Sequence, residues 1–264
     1  MRRDGLCCVW VSAPYTHGVT TTATWMGIDI GASSVKLALL QAHPATADGL
    51  ALGQSGRYDR PTLEELGAVV RSAAEELLDR ERPVAVCGVG LAVPGPVEAD
   101  GMVVQCGNLP AFDGLDSGAW IRAVLPDIFD GDVAVRFMTD ANAAAAGAYA
   151  SDPKPGRTLY LSLGTGVGGA VLDDRRPLAF TRGTPGHLGH LDVSGGDRDA
   201  PATPAAGRGA LEAYLGAPAL RAAGLQLDDP AACADHPAID EAASALARGL
   251  RIMLALFRMD HVVL

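Results

Sequence analysis

Two segments of the sequence repeat one pattern: an apolar run rich in β-branched residues, a turn of small residues, and a second such run. The first joins residues 26–30 to 35–40 through Gly31-Ala32-Ser33-Ser34; the second joins residues 157–163 to 170–172 through the glycine-rich stretch 164–169. Runs of this kind on either side of a small-residue turn predict a β-hairpin. Each hairpin is followed by alternating apolar and amphipathic segments. A duplicated α/β fold of two lobes with a central cleft is therefore expected.

The stretch 51–58 adds a third strand to the first lobe. Pro61 opens a helix with Leu63, Leu66, Val69, Val70, Ala73 and Leu77 along one face. Residues 84–93 form a nearly continuous apolar run, as in a strand buried on both faces, and Pro94-Gly95-Pro96 ends it. Asn108-Leu109-Pro110 falls in a loop, and Asp116 or Ser117 caps a helix to about residue 125. Residues 133–138 predict another strand, with Asp140 just past its carboxyl end and a helix over 141–150. The stretch 193–207 has no periodicity and predicts a long loop. Helices over 209–215 and 239–257 precede a last apolar run at 261–264. The expected lobes are 26–138 and 139–264, with 1–25 an extension or a misplaced start.

A chain of 264 residues, 48% hydrophobic, can bury the cores of two small domains. A net charge of −10 argues against nucleic acid or an anionic membrane as partner, since both need clustered Lys and Arg. No apolar stretch reaches the ~20 residues that span a bilayer, and the run at 6–11 is too short for a signal peptide. The cysteines, Cys7, Cys8, Cys87, Cys106 and Cys233, are irregularly spaced and read as reduced thiols of a cytoplasmic protein. The expected partner is a small molecule.

Phosphoryl transfer asks a protein for donors around the phosphates, a metal to offset charge, and a base for the attacking hydroxyl. Glycine-rich turns after strands let backbone amides approach phosphate oxygens. Taken alone, Gly164-Thr165-Gly166-Val167-Gly168-Gly169 is as well explained by a tight hairpin. Asp140, at a strand's carboxyl end beside a helix N-terminus, fits a site carboxylate or a plain helix cap. Asp29 fits a cation ligand or a turn residue. Lysine occurs only at positions 36 and 154, which draws attention to Lys36 without assigning it.

In combination these segments resemble the ROK family of sugar kinases, of the actin-like ATPase (ribonuclease H-like) superfold. Residues 28–36 resemble its first phosphate motif and 163–169 its second. Val89-Gly90-Leu91-Ala92-Val93-Pro94-Gly95-Pro96-Val97 with Asn108-Leu109-Pro110 is similar to the sugar-side signature. Thr139-Asp140-Ala141-Asn142-Ala143-Ala144 is similar to the Asp-x-Asn-Ala-Ala helix start, and Gly186-His187-Leu188-Gly189-His190 to Glu-x-Gly-His. The resemblance runs from residue 26 to 264 in the family's order.

The resemblance implies an ATP-dependent kinase of a hexose-type sugar, with Asp140 as base and Asp29 holding Mg²⁺ through water. Gly31, Ser33, Ser34, Lys36, Gly164, Thr165 and Gly166 are the implied phosphate contacts. Gly95, Asn108, Thr139, Asp140, His187 and His190 are the implied sugar contacts. Thr139 replaces the family's Asn and His187 its Glu, which alters the hydroxyls the pocket can satisfy. The family's zinc-binding cysteines have no counterpart in 193–212, where Ala210 stands in the last Cys position, so no zinc is expected. Polyphosphate as donor is an alternative that the acidic composition disfavours; a non-catalytic ROK sugar sensor is another. A homodimer is implied. The family's final strand matches 261–264, and a Gly-Gly loop over adenosine and a helix follow that strand. The resemblance therefore implies a C-terminal truncation and weak ATP binding.

Overall fold

A computed structural model describes residues 23–42, 51–81, 85–98, 100–104, 106, 109–129, 133–178, 187–204 and 206–264. These fall into two compact units, one up to residue 148 and one from residue 149.

The first unit opens with β1 (Ala23–Ile30), antiparallel to β2 (Val35–Ala42), which pairs in turn with β3 (Ala51–Gln54). β1 begins ahead of the predicted residue 26, because Thr24 and Trp25 are buried and find ladder partners on β2 and on the next strand of the sheet. β3 stops at Gln54; Ser55 then turns inward and takes the Val35 amide on its hydroxyl.

Helix α1 (Leu63–Arg80) starts from a capping box, in which the Thr62 hydroxyl accepts from the Glu65 amide and the Glu65 carboxylate accepts from the Thr62 amide. Those backbone and hydroxyl donors hold the Glu65 carboxyl below its ordinary range. Pro61 therefore sits just outside the helix. The buried stripe Leu66, Val70, Ala73, Ala74 and Leu77 lies on the sheet.

β4 (Val86–Val93), α2 (Ser117–Val124), β5 (Ala134–Thr139) and α3 (Asp140–Ser151) complete this run. β4 pairs in parallel with both β1 and β5, giving the order β3-β2-β1-β4-β5. Val89, Leu91, Ala92 and Val93 are fully buried, as expected of a central strand covered on both faces. Asp116 caps α2 by accepting from the Ala119 amide.

The second unit pairs β6 (Arg157–Leu163) antiparallel to β7 (Val167–Asp173), which pairs with β8 (Arg176–Pro177). β7 already begins at Val167, so the predicted turn 164–169 shortens to 164–166. Gly168 and Gly169 sit in the strand because Leu161 and Leu188 pack where a Gly169 side chain would stand. The predicted loop 193–207 carries a two-stranded ribbon, β9 (Ala202–Thr203) with β10 (Gly207–Arg208). Three short helices follow: α4 (Leu211–Leu215), α5 (Ala217–Ala222) and α6 (Pro230–Cys233).

α7 (Pro237–Phe257) buries Ala242, Ala245, Gly249 and Met253 and packs on α4, Gly249 leaving room for Leu211. It ends at Arg258 in the left-handed region, and β11 (His261–Val263) then joins β6 in parallel. The junction is fastened by Arg157, whose guanidinium donates to the Phe257 carbonyl and reaches Asp173 at 2.9 Å. No helix among the described residues is long and apolar enough to cross a membrane.

Gly88 of β4 gives one test of this packing. A side chain there would meet the Trp25 ring at 2.3 Å. Gly88→Ala is therefore expected to lower unfolding stability by about 1–3 kcal/mol, read by urea denaturation, and replacing Trp25 with Leu should recover part of the loss.

Candidate active site

In the first unit, register decides which side chains share an edge. Asp29 lies opposite Ala92 of β4, Ala92 lies opposite Met138 of β5, and Val93 lies opposite Thr139. Parallel strands run about 4.8 Å apart, so Asp29 and Met138 are roughly 10 Å apart across the sheet. The carboxyl ends of β1, β4 and β5 thus bring Asp29, the 31–34 turn, Gly95, Thr139 and Asp140 to one edge, where open α/β sheets carry ligands. Gly95 has φ +139, a backbone conformation that favours glycine. Asn108 lies outside the described residues.

Asp29 is 9% exposed and faces Lys36 directly across the β1–β2 ladder, Nζ to Oδ2 4.0 Å. The half-exposed lysine makes this a weak pair. The turn beyond it is tight: the Gly31 amide donates to Ser34 O at 3.1 Å, and a side chain on Gly31 would stand 3.0 Å from that oxygen. Two of its other carbonyls are taken from outside. Tyr58 donates its hydroxyl to Gly31 O at 2.6 Å and its amide to Ser33 O at 3.0 Å. Among the described residues no acceptor takes the amides of Ala32, Ser33 or Ser34.

Asp140 is the first residue of α3 and is exposed, its Oδ1 accepting from the Ala141 amide at 2.7 Å. The capping role belongs to Thr139, whose Oγ1 accepts from the Asn142 amide at 3.2 Å. Of the two readings of Asp140 left open by sequence, the plain cap is therefore filled by its neighbour.

The second unit builds a similar turn. Gly164 donates to Gly166 O at 3.0 Å, and Gly164 O accepts from the Ala217 amide at 2.8 Å. Glu212, which sequence reasoning passed over, accepts from the Val167 amide at 2.9 Å and fills the space where a Gly166 side chain would be. Its signal was only an acidic residue in the first turn of a five-residue helix, which capping preferences explain equally well. His187 precedes and His190 ends a single 3₁₀ turn, Leu188–His190, with rings stacked at 4.9 Å. Gly189 is buried, and a side chain on it would come within 2.2 Å of Val167 O. That approach carries both histidines to the start of β7, beside the 164–166 turn. The described residues contain no group of three or more His, Cys, Asp and Glu arranged to hold a metal.

An α/β sheet in this order with a glycine turn after its first strand, followed by a second sheet opening on the same hairpin, defines the actin-like ATPase fold class. The ROK family profile matches residues 25–264, and the chain belongs to the ROK family. It is 27% identical over 184 residues to a glucokinase of Halalkalibacterium halodurans, covering 64% of this chain and 50% of that one. The chain thus spans about half the length of the curated relatives it matches. The fold agrees with a ROK hexokinase from Thermus thermophilus at TM-score 0.68 and 24% identity, over 90% of this chain and 80% of that one. It agrees equally with a ROK family transcriptional regulator, a homologue of the Escherichia coli MLC protein, at TM-score 0.71 and 19% identity, over 91% and 64%.

The cap assignment is checked by substitution at Thr139. Thr139→Ala is expected to destabilise the protein by about 0.5–2 kcal/mol, with Thr139→Ser close to wild type. Equal stability of all three proteins in denaturant titration contradicts the cap.

Proposed function

We propose that this ROK protein transfers the γ-phosphoryl group of ATP to a hydroxyl of a hexose-type sugar. The observation that carries the reading is Asp140: a carboxylate at the carboxyl end of β5, on the same sheet edge as Asp29 and the 31–34 turn, with the capping duty discharged by Thr139.

Asp140 accepts the proton of the attacking hydroxyl as its oxygen bonds to the γ-phosphorus. The bond from phosphorus to the bridging oxygen breaks, and ADP leaves with that electron pair. In the first unit the amides of residues 32–34 offer donors for phosphate oxygens, with Lys36 adding charge from the β2 side; taken by itself, the second unit offers the amides of 165 and 166. Asp29 is the residue that would hold Mg²⁺ through water; an acceptor-only oxygen donor with a weak lysine partner fits a hard cation. When bound, magnesium offsets the charge on the phosphate oxygens. In the first unit Gly95, Asn108 and Thr139 are the proposed sugar contacts; in the second unit they are His187 and His190. An imidazole at His187 can donate where a carboxylate accepts, so glucose need not be the preferred sugar.

The 193–212 segment is read as metal-free, and polar contacts that need no metal support the reading: Asp192 accepts from the Ser194 amide, Arg248 donates to Val193 O, and Arg208 donates to Ala200 O. The Ser194 donor also holds the Asp192 carboxyl below its ordinary range. Elemental analysis of the purified protein should find no stoichiometric zinc, and one zinc per chain overturns this part of the reading. The same reading makes the protein a cytoplasmic homodimer.

A second reading, a sugar-binding regulator without catalysis, is favoured by the likeness to the MLC homologue. A panel of ATP and polyphosphate against glucose, mannose, N-acetylglucosamine and fructose separates the two, with phosphorus NMR of the products. Magnesium-dependent transfer from ATP to at least one sugar is expected. Sugar binding without transfer from either donor supports the regulator instead.

A further inference from the structure

We propose that Tyr58 is a positioning residue for the first glycine turn: it holds the turn's carbonyls inward so that the amides of residues 32–34 face a phosphate. The proposal rests on reading that turn as a phosphate site.

A turn of small residues has no side-chain packing of its own to fix which way its peptides point. In the 31–34 turn that choice is made from 27 residues away, where one residue fastens two alternate carbonyls: the Tyr58 phenol at Gly31 O, 2.6 Å, and the Tyr58 amide at Ser33 O, 3.0 Å. Ser55 secures the residue after the turn in the same manner, its Oγ accepting from the Val35 amide and its amide donating to Val35 O, both at 2.9 Å. From the loop that follows β3, the two residues form a clasp across the 31–34 turn.

The direction of these bonds matters. Each bond from Tyr58 consumes a carbonyl and none consumes an amide of residues 32–34. A carbonyl released from the clasp and rotated outward would set its partial negative charge against the phosphate oxygens, and withdraw the adjoining amide. The phenol suits this task because it cannot wander: the half-buried ring fixes it. It also remains a donor, since burial and then the nearby Asp29 carboxylate push its pKa up to about 12. Asp29 and Lys36 are the charged groups at this end of the hairpin, and neither replaces the phenol at Gly31 O.

The test compares the wild-type protein with Tyr58→Phe, which keeps the ring, and Tyr58→Ala, which does not. ATP affinity by calorimetry, sugar KM, thermal midpoint and hydrogen exchange at the amide of position 58 are measured for each. Loss of one hydrogen bond that orients a ligand site predicts about three- to tenfold weaker ATP binding by Tyr58→Phe. Faster exchange at position 58 is expected with it, and sugar KM should stay within roughly twofold of wild type. Unchanged ATP binding in Tyr58→Phe overturns the proposal alone, whether or not Tyr58→Ala is impaired. Equal losses for ATP and sugar, with a lowered thermal midpoint, also overturn it and make Tyr58 a general packing residue. A wild-type protein that binds no ATP overturns the phosphate reading and the proposal together.

Discussion

Parallel pairing of β1, β4 and β5 is the constraint on which the first unit depends. Parallel strands cannot be joined by a tight turn, so the chain must cross over between them, and α1 and α2 occupy the crossovers. Because all three strands run the same way, their carboxyl ends collect on one edge, and the residues just beyond them become neighbours although they are distant in sequence. Asp29, Gly95 and Asp140 share that edge for that reason. Ile28, Ile30, Leu91 and Val93 are fully buried. A slip of one residue would turn these side chains over to the other face, so burial of the strand interiors fixes the geometry of the polar edge.

The second unit reaches its arrangement by close approach. Gly189 lets a 3₁₀ turn lie against the backbone of Val167, and Gly166 leaves space that the Glu212 carboxylate occupies. In each case the absent side chain is replaced by a specific polar or backbone contact. Both units thus treat their glycine turns alike: the first amide closes the turn, Gly31 onto Ser34 O and Gly164 onto Gly166 O, while among the described residues no acceptor takes the amides of 32–34 or 165–166.

Elements with strong periodicity were legible in the sequence. The β1–β2 hairpin, the buried β4 and the apolar stripe of α1 come out as expected, because each is set by local pattern and by a core that the pattern serves. The errors have a common cause in tertiary contacts. The glycine stretch 164–169 reads as one turn, yet Leu161 and Leu188 pack over Gly169 and draw it into β7. The ribbon of β9 and β10 and the short helices α5 and α6 are too small to show a period. Tyr58 and Glu212 lie in no motif; their importance comes from carbonyls and amides far away in sequence. The cap that Thr139 supplies to α3 likewise had no mark in the sequence beyond a residue type that also suits a sugar contact.

The account turns on Asp140 as the group that takes a proton from a sugar hydroxyl. Its most direct test is steady-state kinetics of Asp140→Asn, which preserves size and the contact with the Ala141 amide while removing the base. The account predicts kcat lower by roughly 10²–10⁴-fold, with the sugar KM little changed. Turnover equal to wild type would contradict it.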